Sequence, residues 1–285
     1  MAGNDTAFTG GLPQLYDREL AAMMFAPYAA DMAARLAGFV SGRLLETAAG
    51  TGIVTVALAA ALPATVEIVA TDLNQPMIDH AATKRGLERV HFQQADATAL
   101  PFPDQSFDVV VCQFGIMFFP DRVAGMREAR RVLKPGGRFL FNAWGPLADN
   151  PVMAAVIAGV SRWRPMHPLW FLERTPCGYH DPEKIRADLR DAGFVSATIE
   201  AKRLVGRAAS ADQAAIGFCH GTPLRAEIVG LDPAGLDPAG LDPAGLDPAG
   251  LDAATASARA AVVERFGDGS FDTDLLALVV ETTKT

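Results

Sequence analysis

From position 43 the chain alternates short apolar runs with segments whose apolar residues recur every three or four positions. The apolar runs have the length and β-branched content of buried strands, and the periodic segments fit amphipathic helices. Strands are predicted at Arg43–Glu46, Glu67–Thr71, Val90–Gln94, Phe107–Cys112 and Gly137–Ala143. Helices are predicted between them at Ile53–Ala61, Gln75–Arg85 and Arg122–Leu133. This alternation is typical of a parallel sheet with helices on both faces.

The segments on either side of this alternation follow other patterns. Residues 12–38 have helical spacing, and Pro27 is expected to divide them into two helices. The run from Lys134 to Gly137 predicts a helix end followed by a turn. Residues 145–180 interrupt the alternation with prolines and aromatic side chains. Further elements are predicted as a helix at Asp181–Ala192, a strand near Ser196–Leu204 and a last strand at Leu275–Glu281.

A repeat occupies residues 230–254, where Gly-Leu-Asp-Pro-Ala occurs four times and a degenerate copy follows from Gly250. A proline every five residues prevents one continuous helix, because each proline removes an amide donor. The repeat is either a recognition or spacer segment or an expanded surface loop between two helices, and its composition favours the loop.

The predicted organisation has four parts: an N-terminal helical cap (1–40), a nucleotide-binding core (41–145), an aromatic-rich lid insertion (146–180), and the rest of the sheet with a helical insertion that contains the repeat (181–285). A net charge of −8 argues against binding to nucleic acid and against anchoring to a membrane by a polybasic segment. Three widely spaced cysteines predict neither disulfides nor a metal site. No signal peptide or membrane span is expected, so we expect a cytoplasmic protein. Its expected partner is a small-molecule acceptor, and it is expected to be a monomer or homodimer.

The loop after the first predicted strand, Ala48–Gly52, consists of small residues that let a ligand approach the backbone. Asp72 ends the second strand and can accept hydrogen bonds from both hydroxyls of a ribose. A nicotinamide site would have a third glycine where Thr55 stands. Glu46 would repel a pyrophosphate, yet it suits a cofactor with an ammonium and a sulfonium. The residues therefore favour S-adenosylmethionine over NAD.

Five motifs in order within residues 43–145 resemble the core of the class I S-adenosylmethionine-dependent methyltransferases, in the small-molecule subgroup. The motifs are Glu46–Gly52, Thr71–Met77, Gln94–Ala97, Phe107–Gly115 and Arg131–Gly137. Ala48 stands at the first glycine of the family's first motif, a departure that alanine tolerates unless a positive φ is required. The resemblance implies a doubly wound, Rossmann-like, seven-stranded and mostly parallel α/β sheet. It also implies S-adenosylmethionine as cofactor and S-adenosylhomocysteine as product.

The cofactor-binding residues expected from the loop and the resemblance are Glu46, Ala48, Gly50, Thr51, Gly52, Asp72, Leu73, Met77, Asp96, Ala97 and Gln113. Several of them have a structural alternative. Glu46 could cap the following helix, Asp96 could close a turn with local amides, and Met77 could belong to the core. No metal is expected.

Methyl transfer is an in-line displacement, so the protein mainly has to orient the nucleophile and exclude water. A base is needed only for a protonated nucleophile, and the candidate bases are His167, His180 and His220. Acceptor contacts are expected from Tyr16, Tyr28, Trp170, Phe171 and Tyr179, although such rings could equally form the core of the lid. The predicted function is methyl transfer to O, N or C of a small apolar or aromatic molecule. The alternative is a non-catalytic S-adenosylmethionine-binding or partner protein.

Overall fold

A computed structural model describes residues 11–166, 170–230 and 248–285. Its seven strands are β1 (Gly42–Glu46), β2 (Val66–Asp72), β3 (Val90–Gln94), β4 (Phe107–Gln113), β5 (Leu133–Trp144), β6 (Ala197–Ala208) and β7 (Phe271–Thr283). They form one sheet in the order β3-β2-β1-β4-β5-β7-β6. The first five strands pair in parallel, and β7 runs antiparallel to β5 and β6. The predicted fold class, a mostly parallel doubly wound sheet, is confirmed.

The helices fall into two groups. Those inserted between strands of the core are α3 (Ile53–Ala61), α4 (Gln75–Ala82), α5 (Arg122–Val132) and α8 (Pro182–Asp191). The others are α1 (Leu12–Leu20), α2 (Ala26–Arg35), α6 (Pro151–Trp163), α7 (Phe171–Arg174), α9 (Ala211–Gly221), α10 (Leu224–Gly230) and α11 (Pro248–Phe266). Within this second group α6, α9 and α11 pack on one another, and α1 packs on α9. The N-terminal segment thereby joins a helical layer built from the second half of the chain.

The N-terminal helices are joined by a π-helical turn at Ala21–Phe25, whose last three residues are buried. Helix α2 begins at Ala26 with Pro27 in its first turn, where the missing amide costs no intrahelical hydrogen bond. The predicted division at Pro27 is therefore close to the observed one, but the chain continues through a wide turn instead of breaking. Gly206 on β6 leaves room for this turn, because a Cβ there would overlap the carbonyl of Met23.

The turn predicted at Lys134–Gly137 is a bulge inside β5. The register of β4 on β5 shifts from Phe107 opposite Leu133 to Val109 opposite Arg138, so three extra residues of β5 are accommodated there. Gly136 takes a φ of +78° in this bulge, a conformation that glycine adopts without a steric cost. The predicted strand start at Gly137 is therefore wrong, because β5 begins at Leu133 and includes this bulge.

Most of the repeat, residues 231–247, lies outside the described residues. Its degenerate last copy does not belong to a loop, because Gly250–Ala254 lies within α11, and Leu251 and Ala254 are buried. Ala253 replaces the proline of the earlier copies, so the amide ladder continues. In the ranges that the structure describes, no helix is long and apolar enough to cross a bilayer. The same ranges contain no group of three or more His, Cys, Asp or Glu side chains arranged to hold a metal ion.

Candidate cofactor and acceptor site

The carboxyl ends of β1, β2 and β4 open into a cavity of about 730 Å³. In the sheet β1 lies between β2 and β4, so the strand order proceeds outward in opposite directions on the two sides of β1. In open α/β sheets this switch point is where ligands bind. The cavity has a wall of acids and loop residues, which includes Glu46, Gly50, Thr51, Asp72 and Asp96.

The loop after β1 presents its backbone to this cavity. Gly50 has a φ of +56°, and a Cβ built on it would have no atom within 4 Å, so the space beside it is open. Its amide donates to Oδ2 of Asp72 (2.9 Å), and the amide of Asn74 donates to Oδ1 (2.8 Å). The Asp72 carboxylate is therefore held at the end of β2 against the glycine loop, where a ribose could replace these amide partners.

Ala48 has a φ of +52°, the left-handed conformation that favours glycine. This position therefore does require a positive φ, and alanine adopts it here at a cost of about 1 kcal/mol relative to glycine. The Cβ of Ala48 packs against Gly115, where an added Cβ would overlap it and would lie 2.9 Å from Sγ of Cys112. Phe114, next to Gly115, also has a positive φ (+51°). The two loops thus meet in a strained contact at the cavity floor.

Glu46 is 1% exposed, and its Oε2 accepts a hydrogen bond from Oγ1 of Thr55 (2.7 Å). Burial raises the pKa of Glu46 to about 8; the charge of Asp72 also raises it, and the Thr55 hydrogen bond lowers it. Burial likewise raises the pKa of Asp72, against the amides of Asn74 and Gly50. Within the described residues neither carboxyl forms an ion pair with a cationic side chain. Two buried acids without a counter-ion suit a cationic ligand.

Helix α1 lies across the loop and is held there by Asp17. Its Oδ1 accepts hydrogen bonds from Oγ1 of Thr51 (2.7 Å) and from Nζ of Lys84 (2.5 Å). These partners hold the pKa of Asp17 below its usual value although burial raises it. Tyr16, the neighbouring residue, lines the cavity, and burial raises its pKa. The sequence had not indicated Asp17, which reads as an ordinary exposed acid on an amphipathic helix.

A second wall of the cavity is aromatic. Tyr16, Phe25, Phe114 and Phe118 line both the large cavity and a small adjoining one of about 40 Å³. Phe114 stacks on Trp144 with ring centroids 3.7 Å apart and an interplanar angle of 5°. An apolar aromatic compartment therefore adjoins the acidic wall, and Phe114 belongs to both cavities.

The sequence profile of a methyltransferase domain family matches residues 45–141. A demethylmenaquinone methyltransferase of Deinococcus radiodurans is 32% identical over 168 residues, which cover 53% of this chain and 67% of that protein. A ubiquinone/menaquinone biosynthesis C-methyltransferase of Ectopseudomonas mendocina is 34% identical over 170 residues, covering 55% of this chain and 66% of that protein. The chain belongs to the class I S-adenosylmethionine-dependent methyltransferases. S-adenosylmethionine is its cofactor.

Solved structures show the same fold for this methyltransferase. The YcgJ protein of Bacillus subtilis has a TM-score of 0.53 at 21% identity, covering 90% of this chain and 98% of that one. A phosphoethanolamine N-methyltransferase of Haemonchus contortus, solved with S-adenosyl-L-methionine, has a TM-score of 0.55 at 16% identity, covering 95% and 56%. The chain spans between about two fifths and two thirds of the lengths of the curated relatives that it matches.

Most of the residues predicted to bind the cofactor line the large cavity of the methyltransferase: Glu46, Ala48, Gly50, Thr51, Asp72, Leu73, Met77, Asp96, Ala97 and Gln113. Asp96 also accepts hydrogen bonds from the amide and hydroxyl of Thr98. These are the local turn contacts that the sequence offered as the alternative role of Asp96. Gly52 is the exception. A Cβ on it would lie 2.9 Å from the Cβ of Ala81, so this glycine serves the packing of the loop on α4.

Among the predicted acceptor residues, Tyr16 and Phe171 line the cavities of the methyltransferase, and the other three do not. The Tyr28 hydroxyl donates to the carbonyls of Lys202 and Leu275. The Trp170 indole donates to Oγ of Ser161. Tyr179 is buried and donates to Asp188. These contacts correct the prediction, because each polar group is used within the helical layer or at the edge of the sheet.

The two candidate bases that the structure describes, His180 and His220, line neither cavity. His220 is half-buried, its Nε2 lies 3.0 Å from Oγ1 of Thr255, and burial lowers its pKa. His180 is exposed, with Nδ1 2.6 Å from the carbonyl of Cys177. His167 lies outside the described residues. Neither of the two described histidines lines either cavity, which corrects their assignment as bases.

Proposed function

We propose that this methyltransferase transfers the methyl group to an O, N or C atom of a small apolar or aromatic molecule that binds against Phe25, Phe114 and Phe118. The observation that supports this assignment is that buried acids and aromatic side chains line the same large cavity. Glu46, Gly50, Asp72 and Asp96 would hold the cofactor. When bound, S-adenosylmethionine supplies a methyl group on a positive sulfur.

The cofactor wall fits that group on two counts. The open space beside Gly50 lets a ligand approach the loop amide. Glu46 and Asp72 are buried carboxyl groups with no cationic partner among the described residues, and a bound cation would favour their ionised form. Gln113 adds a third feature, because its Oε1 is buried without a hydrogen-bond partner among the described residues. A donor from the cofactor would satisfy it.

The protein's own contribution is to orient the reactants and to exclude water. Helix α1, fixed by Asp17 to Thr51 and Lys84, would cover the cofactor, while the stacked Phe114–Trp144 pair would support the acceptor. Two relatives are named for demethylmenaquinone and for ubiquinone/menaquinone biosynthesis, and these names favour a quinone-type ring among the acceptors. We propose further that the protein acts in the cytoplasm as a monomer or homodimer, and that it acts neither on nucleic acid nor on a membrane. Its three cysteines are buried and form no disulfide, which fits a reducing compartment.

Calorimetry with S-adenosylhomocysteine tests the cofactor wall. We expect Asp72→Asn to weaken binding about a hundredfold or more, because two hydrogen bonds to a charged acceptor are together worth about 3–6 kcal/mol. Asp79→Asn is the matched control, since Asp79 is exposed on α4 and accepts its one hydrogen bond within the described residues from Gln75. Wild-type binding by Asp72→Asn would contradict the assignment.

Transfer is then measured with methyl-labelled cofactor and a panel of phenols, quinols and aromatic amines. Labelled product from an aromatic acceptor is expected. A different result would support the non-catalytic alternative: the wild-type protein binds S-adenosylhomocysteine tightly, Asp72→Asn does not bind it, and no acceptor is methylated.

A further inference from the structure

Besides its acids, the large cavity is lined by Arg122, the first residue of α5, and by Arg174 on the insertion. Arg174 is neutralised by an ion pair with Glu227 (2.9 Å). Arg122 forms no ion pair with any carboxylate in the described residues, and the neighbouring Asp121 is used as the N-cap of α5, where it accepts from Ala124. The cavity wall thus presents one positive charge without a counter-ion.

The guanidinium of Arg122 is held in place from behind. Its central carbon lies 4.5 Å from the ring centroid of Tyr179, a cation–π contact. The Tyr179 ring is itself fixed, because its hydroxyl donates to Oδ2 of Asp188 (2.8 Å), and Asp188 is 2% exposed. Lys184 binds the other oxygen of Asp188 (2.7 Å). The buried Tyr179 and Asp188 therefore orient Arg122, although neither forms an ion pair with it.

The donors of Arg122 are largely unused. Its Nη2 donates to the carbonyl of Met117 (3.2 Å), and this is its only hydrogen bond within the described part of the chain. Its Nε is buried without a partner. Arg131 on the same helix shows a contrasting arrangement, with ion pairs to both Glu128 and Asp104. A partly buried cation costs free energy unless an anion compensates it, and guanidinium is the group that binds carboxylate and phosphate in fixed geometry.

We propose that Arg122 binds an anionic oxygen of the methyl acceptor, so that the acceptor is an apolar or aromatic molecule bearing a carboxylate or phosphate group. This inference rests on the proposed function, because it places the acceptor in the same cavity. It adds a charge requirement that the aromatic wall alone does not impose. The acids near the glycine loop would repel such an anion, which orients it towards Arg122 and away from the cofactor wall.

The test measures binding to the protein saturated with S-adenosylhomocysteine, by calorimetry. The probes are 2-naphthoate, 2-naphthyl phosphate and the neutral 2-naphthamide, which share one ring system. We expect at least one of the anions to bind the wild-type protein about tenfold or more tightly than the amide. The preference should disappear in Arg122→Met and persist in part in Arg122→Lys, which keeps the charge but not the fork of donors. The two anions distinguish a carboxylate site from a phosphate site.

Arg127→Met is the matched control, because Arg127 is an exposed arginine on the same helix, bonded to the carbonyl of Asp191. It should leave the preference for the anion unchanged. Arg122→Gln repeats the measurement if Arg122→Met does not fold, as judged by its circular dichroism spectrum.

Equal binding of anions and amide to the wild-type protein would overturn the proposal, as would an anion preference that survives in Arg122→Met. If Arg122→Met instead weakens S-adenosylhomocysteine itself tenfold or more, Arg122 binds the carboxylate of the cofactor and the proposal is wrong. Failure of the wild-type protein to bind S-adenosylhomocysteine at all is a different result, because it removes the proposed function as well.

Discussion

The two walls of the cavity are built in different ways. The cofactor wall comes mostly from the segments that directly follow β1 to β4, where backbone groups and short side chains define the site. The aromatic wall comes from α1, the π-helical turn, the segment after β4 and, around the small cavity, α6, α7 and α9. A local pattern suffices to recognise the first wall, whereas the second exists only once distant segments pack together.

The walls also differ in what they cost the folded protein. The cofactor wall contains two buried acids that have no counter-ion in the described part of the chain, and a left-handed alanine; all three are unfavourable in the absence of a ligand. The aromatic wall contains stacked rings whose burial is favourable by itself, such as Tyr16 on Phe25 and Phe114 on Trp144. Unfavourable groups concentrated at one wall indicate that this wall is shaped for a ligand.

The largest effect that distinguishes the walls is expected from pH. The folded-state pKa of Glu46, about 8, lies above its ordinary value of 4.5, so between these values the folded protein keeps a proton that the unfolded chain releases. The stability of the cofactor-free protein should therefore decline as pH rises from 4.5 to 8. Affinity for the cationic cofactor should rise over pH 6–8, by up to about tenfold per pH unit, because the ionised carboxylate is the form that attracts it.

Glu46→Gln should weaken both pH trends and leave only the part that the raised pKa of Asp72 contributes, as measured by thermal unfolding without ligand and by calorimetry with S-adenosylmethionine. Glu67→Gln is the control, because Glu67 lies partly exposed on the neighbouring strand in an ion pair with Arg43. Identical pH profiles for wild type and Glu46→Gln would show that Glu46 does not govern the charge of this wall.

The same difference explains how far the sequence could be interpreted. Asp72 and Gly50 could be predicted because a strand end and a small-residue loop define their positions within a few residues of sequence. Gly52 could not be separated from them, since only the approach of Ala81 shows that its role is packing. Arg122 was missed because, next to the N-cap Asp121, it looks like an ordinary first residue of a helix.

The aromatic predictions fared worse for a physical reason. Tyr28 and Trp170 have the composition expected of a ligand site, but a buried ring with a polar atom equally suits a core position that offers a hydrogen-bond partner. The carbonyls of Lys202 and Leu275 provide that partner for Tyr28, and they are 174 and 247 residues away in sequence. Local periodicity contains no information about contacts at such separations.

A smaller effect is expected where the loops of the two walls meet. Gly115→Ala should lower the free energy of unfolding by about 1–3 kcal/mol, because its Cβ would overlap that of Ala48 and crowd Cys112. Urea denaturation measures this loss. Adding Ala48→Gly should restore much of it, since the change removes the opposing methyl group and suits the positive φ.

Gly38→Ala serves as the control for that experiment, because a Cβ there would have no atom within 4 Å. If Gly115→Ala unfolds like the wild type, or if the double variant is no more stable than Gly115→Ala, the two loops do not constrain each other. The cofactor wall would then be independent of the segment that presents Phe114 to the acceptor.

The smallest effect is expected from His220→Ala, which should keep the rate of methyl transfer within about twofold at saturating cofactor. His220 has the residue type of a general base and sits beside glycine and threonine, yet its Nε2 faces Thr255 and it lines neither cavity. A group that cannot reach the acceptor cannot accept its proton, whatever its pKa. His180→Ala, an exposed histidine, should behave alike, and a tenfold fall in kcat confined to His220→Ala would contradict this placement. Such a fall would mean that the helical layer supplies chemistry as well as the shape of the acceptor wall.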